Sequence, residues 1–210
     1  MSMFRVSETY RKLRTLDFDL ECRPMAWYGG DFVTKQPTVI AWKFIGERGP
    51  VQVAWIGESD RSSMVPYEER EMIEAFLEAY DRAELVTGHF IRGFDLPVIN
   101  GARIRLGGGP IDKKLSSDTK LDLTKASGMS KSMENLSAMF EAKHQKYSMN
   151  TTKWFEANSL LPEGIELAKK RCVEDVKEHI ELRERLLEIG ALRPPIVWSP
   201  EGAGVGGYHS

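Results

Sequence analysis

Residues 14–22 alternate strictly: Leu16, Phe18 and Leu20 are apolar, and Asp17, Asp19 and Glu21 are acidic. A period of two predicts a strand with one apolar face and one face of carboxylates. Residues 38–45 and 51–57 are rich in Val, Ile and Trp and predict two further strands, joined as a hairpin through Gly46, Gly49 and Pro50. Over 66–82 the period changes: Ile73, Phe76, Leu77 and Tyr80 form a helical stripe, Pro66 suits a first turn, and acidic residues crowd that turn. A short strand is predicted at 84–88, then a helix from Asp95 to about Ile104 with Pro97 in its first turn. A Gly/Pro/Lys-rich loop at 106–117, a strand at 118–123 and one or two helices between 132 and about 160 follow. The last long helix spans about 164–189, with the stripe Ile165, Ala168, Cys172, Val176 and Ile180. Residues 191–210 form a Pro/Gly-rich tail for which irregular structure is expected. A hairpin-rich group followed by alternating helices and strands predicts a mixed sheet flanked by helices, one α/β domain over residues 1–190.

Composition narrows the functional classes. With 210 residues, 41% hydrophobic and 29% charged, the chain is long enough for one large core, and disordered or fibrous classes are excluded. No apolar run approaches the roughly 18 residues of a membrane span, so no membrane partner is expected. The first residues are polar and basic and lack a secretory-signal pattern. Two distant cysteines, Cys22 and Cys172, argue against a disulfide framework or a zinc cluster and for a cytoplasmic setting. A net charge of −2 argues against a purely electrostatic nucleic-acid binder. It leaves room for a nucleic-acid enzyme whose metal-holding acids offset its basic groups. Lysines crowd 113–153, and Lys169, Lys170 and Arg171 form a second basic cluster; each taken alone reads as a solvated face.

Three acidic features carry candidate chemistry. Asp19 and Glu21 stand at i and i+2 on one strand face, where two carboxylates repel unless a cation joins them. The simpler reading of that segment alone is the exposed face of an edge strand. Asp95 stands at a loop-to-helix junction, where Asp most often caps the helix. Asp175 flanks the stripe of the last helix, and either meets solvent or points at a carboxylate cluster on the sheet.

Together these features resemble the DEDD, or DnaQ-like, 3′–5′ exonuclease superfamily of the ribonuclease H-like fold. FDLE, Phe18 to Glu21, looks like its first motif. GHFIRGFDLP, Gly88 to Pro97, is similar to the second, in the form found in family B polymerase proofreading domains. RCVEDV, Arg171 to Val176, looks like the third. SDTKLDL and KSMENLSAMF, from Ser117 and Lys131, resemble the segments between motifs two and three. The resemblance covers roughly residues 14–190 and is similar in kind to small stand-alone exonucleases often encoded by phages. It implies a five-stranded mixed sheet with a hairpin at one side. It also implies that Asp19, Glu21, Asp95 and Asp175 hold two divalent cations, Mg²⁺ or Mn²⁺, for phosphodiester hydrolysis at the 3′ ends of single-stranded DNA or RNA. Replication proteins are among the partners it suggests.

The sequence departs from the family at one informative place. A Tyr four residues, or a His five residues, before the last Asp is usual; here Arg171 and Lys170 stand there. Neither is a ready base, and Arg does not lose its proton. His179, one turn past Asp175, is a candidate to orient water. Alternatively metals alone suffice with Arg171 on a phosphate, or the chain binds nucleic acid and cuts slowly or not at all, as a pseudo-exonuclease attached to a replication complex. Phe90 and Cys22 replace the Asn and the Thr or Ser that are common at their positions. Tyr28, with Met25 and Trp27, is a candidate to stack on bases, and Lys143, Lys146 and Lys153, with Lys170, to follow a strand's phosphates. Core packing and a solvated face are the respective simpler readings. His89 reads as a structural residue, and Gly107–Gly109 as a plain loop, since no Lys-Ser/Thr or helix start follows.

Overall fold

A computed structural model describes residues 10–26, 33–56, 65–125, 128–143 and 147–202. Its elements are β1 (Thr15–Ala26), β2 (Val33–Phe44), β3 (Gln52–Trp55), α1 (Val65–Arg82), β4 (Leu85–Gly88), α2 (Asp95–Arg105), β5 (Lys114–Asp118), α3 (Met133–Met139), α4 (Thr151–Asn158), α5 (Pro162–Glu188) and β6 (Ile196–Trp198). The strands form one six-stranded sheet in the order β3-β2-β1-β4-β5-β6. The β1–β2, β2–β3 and β5–β6 pairs are antiparallel, and β1–β4 and β4–β5 are parallel. The α/β mixed sheet is as expected, with the hairpin at one side, but it has six strands where five were expected. No helix among the described residues is long and apolar enough to cross a membrane.

The alternation in β1 sorts the two layers. Leu16, Phe18 and Leu20 face α1 and α2, in a buried cluster with Ile73, Phe76, Tyr80, Leu96 and Ile99. Phe76 is the hub: its ring centroid lies 4.9 Å from Phe18, 5.9 Å from Trp42 and 6.0 Å from Tyr80. Burying one such side chain contributes roughly 1.5–3 kcal/mol of transfer free energy. Opposite residues of a strand pair share a face, and Asp19 pairs with Ala41 and Glu21 with Val39. Val39 and Ala41 pack under Ala168, Cys172 and Val176 of α5. The carboxylate face is thus the underside of the longest helix, not an exposed edge.

Two differences from the sequence reading have identifiable causes. β5 spans 114–118 rather than 118–123, because the Asp118 carboxylate accepts from the Lys120 and Leu121 amides, each at 2.9–3.0 Å, and folds the chain into a turn. The region 132–160 holds two short helices, within the expectation of one or two, capped by the Ser132 and Asn150 side chains. Residues 196–198 form a strand instead of irregular chain. α5 ends in a Schellman arrangement: Gly190 takes φ 67°, its amide donates to Leu187 O, and the Ala191 amide donates to Leu186 O. This reverses the chain, so that Leu192 bridges to Leu123 and β6 lies along β5.

Candidate metal centre

β1 and α5 run antiparallel across one another with nearly matched repeats. Alternate residues of a strand are about 6.6 Å apart, and four residues of a helix rise about 6 Å. Each acid of β1 therefore meets one turn of α5. Arg171 Nε lies 2.7 Å from Glu21 Oε1. At the middle level the Cys172 thiol donates to the Asp19 carbonyl oxygen at 3.2 Å, and Asp175 comes beside the Asp19 carboxylate. At the third, Asp17 Oδ2 lies 2.6 Å from His179 Nδ1.

The structure brings Asp19, Glu21 and Asp175 together: one carboxylate oxygen from each lies within 4.8 Å of the others. Three hard oxygen donors from two elements at this separation fit a divalent cation of the Mg²⁺, Mn²⁺ or Ca²⁺ class. Immediately after Glu21 the β1–β2 register slips, and Thr38 of β2 is left over. Its hydroxyl donates to the Glu21 carbonyl at 3.2 Å. Such a bulge bends the strand and sets the direction of the neighbouring side chain.

Asp95 is buried at the first turn of α2 but is outside that trio. Burial raises its pKa to about 8; its own amide and that of Leu20 pull it back, while Asp118 and Glu21 push it up. Burial thus favours the protonated form of Asp95 in the metal-free chain, and a cation would favour the carboxylate. Burial foremost, then Asp19, Glu21 and Asp175, holds the Cys172 thiol well above its ordinary range, so it packs and does not react.

His179 does not act on this cluster. It is buried, one ring nitrogen engages Asp17, and Nε2 lies 2.9 Å from Thr119 Oγ1, so neither is left to orient a water. Thr119 Oγ1 is also 2.9 Å from His89 Nδ1. Asp17, His179 and Thr119, all buried, and the half-buried His89 thus form a polar chain that ties β1, α5 and the loops after β4 and β5. Asp17 has its pKa raised by burial, with His179 and then Arg183 drawing it down.

The basic candidates divide. Arg171 is drawn inward onto Glu21, and its Nη1 donates to the Tyr147 carbonyl at 2.8 Å. Lys153 and Lys170 sit 4.8 and 4.5 Å from the Tyr147 ring centroid, beside the cluster's Arg171 end. Lys143 is exposed elsewhere, its amide donating to Glu181. Tyr28, Trp27 and Lys146 lie outside the described residues.

Sequence reasoning missed Asp118. Fully buried, its carboxylate accepts from the Phe90 and Arg92 amides at 3.0 Å as well as from Lys120 and Leu121, and so shapes the loop that delivers Asp95. Phe90 takes φ 72° there. Arg92 closes the loop with a two-pronged contact to Asp122. The available signal was an Asp set among short polar residues, Ser116, Ser117 and Thr119, a turn pattern.

No protein-family model matches the chain, and no curated protein matches it. Among solved structures it is similar to the family B DNA polymerase from the hyperthermophilic archaeon Pyrobaculum calidifontis, with a TM-score of 0.54 and 19% identity. The match covers 83% of this chain and 24% of the polymerase, so the chain spans about a quarter of that protein's length. At this identity the likeness is one of fold, and function must be argued from the site.

Proposed function

We propose that this chain is a metal-dependent 3′–5′ exonuclease that removes nucleotides from single-stranded DNA or RNA ends. The observation that carries the reading is the convergence of Asp19, Glu21 and Asp175 within 4.8 Å, with Asp95 buried alongside. Polarity and substrate class come from the motif resemblance, and the fold likeness to a DNA polymerase supports a nucleic-acid role.

A phosphodiester repels an approaching hydroxide, so hydrolysis needs positive charge at the scissile phosphate. Divalent cations supply that charge, and a more acidic water, when bound. Asp19, Glu21 and Asp175 would hold them, with Asp95 joining once it gives up its proton. The Asp118-pinned loop keeps Asp95 in register with β1. Lys153 and Lys170, at the rim, would follow the incoming strand's phosphates.

A gel assay on 5′-labelled single-stranded DNA and RNA of one sequence tests this, with Mn²⁺, Mg²⁺ and EDTA lanes and Asp19→Ala as control. The expected result is a ladder shortening from the 3′ end with metal only, and a loss on the order of a hundred- to a thousandfold, that of removing an essential electrostatic group, in Asp19→Ala. An equally active Asp19→Ala chain refutes the site. A second reading is favoured by Arg171, which holds Glu21: a protein that binds nucleic acid, or docks on a replication protein, without cutting. Uncut substrate that still shifts on a native gel would select it.

A further inference from the structure

Arg171 occupies a position that a cofactor cation would also favour. Its Nε lies 2.7 Å from Glu21 Oε1 and 3.7 Å from Asp175 Oδ2, two of the three converging acids. Its Nη1 donates to the Tyr147 carbonyl, and its guanidinium carbon stands 5.2 Å from the Trp154 ring centroid. The Arg171 and Glu21 side chains are each 13% exposed, and that of Asp175 5%. The cation is therefore held by β1, by its own helix, by the segment before α4 and by α4 itself. A guanidinium does not lose its proton, so it leaves the acids only by moving. The corner between α4 and α5 resists such movement. Gly164 packs so closely on α4 that a Cβ there would stand 2.3 Å from Ala157 N, and this fixes Trp154 beside Arg171.

Charge counting leads to the same place. The formal charges of Asp19, Glu21, Asp175 and Arg171 sum to −2, which one divalent ion matches. Two divalent ions plus the guanidinium would exceed the charge of all four acids, Asp95 included, in a site largely shielded from water. A carboxylate offers about four lone-pair sites, so Glu21 can keep Arg171 and still contribute to one ion.

We propose that Arg171 is a resident cation of the carboxylate cluster, standing in for one of the two divalent ions, so that the chain binds a single ion there. This rests on the metal-dependent reading above. The experiment is a Mn²⁺ titration of the chain by calorimetry, with paramagnetic resonance to count bound ion, on wild type, Arg171→Lys and Arg171→Met, each checked for fold by circular dichroism. The expected result is one Mn²⁺ per chain for wild type and Arg171→Lys. Arg171→Met should take two, the first tighter by on the order of tenfold or more. Two ions in the wild type overturn the proposal whether or not Arg171→Met folds, and a single unchanged ion in Arg171→Met overturns it as well. No Mn²⁺ binding by any of the folded chains would instead overturn the metal-dependent reading itself.

Discussion

Asp19→Asn separates a cation site from an ordinary polar cluster. The substitution keeps the shape of the side chain and removes one of three charges whose oxygens lie within 4.8 Å. At an effective dielectric constant of about 20, two unit charges at that distance repel by about 3 kcal/mol. Asp19 faces two such neighbours; Arg171, which touches both Glu21 and Asp175, cancels part of their charge, and Asp19's own interactions within the chain offset a further part. The net relief in the metal-free chain is then on the order of 1–3 kcal/mol. For a domain of this size each kcal/mol moves the melting temperature by about 2–4 °C. In EDTA, Asp19→Asn should therefore melt several degrees above the wild type. With Mn²⁺ at about a hundred times its dissociation constant, the wild type gains about 2.7 kcal/mol, or roughly 5–10 °C. The variant, with one donor fewer, should lose most of that gain. The order of the two melting curves therefore reverses between EDTA and Mn²⁺, which differential scanning calorimetry reads directly. An Asp19→Asn chain less stable than wild type in EDTA, or lifted equally by Mn²⁺, refutes the argument.

His89 sets an acid limit on stability. Burial foremost, then His179, holds its pKa down to about 4, with Asp118 opposing, Lys120 adding to the depression and the Lys131 backbone opposing it. The unfolded chain takes this proton at about 6.5 and the folded chain only near 4, so stability falls as pH drops through that window, by up to roughly 3 kcal/mol. Urea midpoints at several pH values should show that slope reduced in His89→Gln; identical slopes in the two chains would discard the assignment. Gly88→Ala tests the junction of β4 with the carboxylate cluster: a Cβ there stands 2.2 Å from Ile91 Cγ2 and 2.7 Å from the Phe18 carbonyl oxygen, next to Asp19. It should cost roughly 1–3 kcal/mol by denaturant unfolding and weaken Mn²⁺ binding, and a neutral variant would contradict the packing argument.

What the sequence made legible is what repeats locally. The period-two stretch at 15–22 and the helical stripes of α1 and α5 each specify their own buried face, and the structure uses those faces. The limits of β5 and the strand at 196–198 depend instead on contacts distant in sequence. Asp118 ends β5 by collecting amides of its own turn and of the loop at 90–92, and Ile196 finds its partner Ser116 only after Gly190 reverses the chain. His179 failed as a water-orienting group for a similar reason. Its position one turn past Asp175 is readable, but the partners that engage both its nitrogens lie 162 and 60 residues away.

The three acids of β1 share one alternation and meet three different fates, and the reason lies in α5. Opposite Asp17 the helix offers His179, and opposite Glu21 it offers Arg171. Arg171 donates to Glu21, and His179 shares a hydrogen bond with Asp17. Opposite Asp19 it offers Asp175, a second carboxylate. Arg171 also reaches Asp175 at 3.7 Å, yet three carboxylates still share one small region of the helix–sheet interface. Packing alone gives no gain from that arrangement, since two apolar residues there would cost less than two like charges. A cation supplied from solution offsets the cost. The convergence of Asp19, Glu21 and Asp175 is therefore the part of the β1–α5 interface that the proposed cation site would account for.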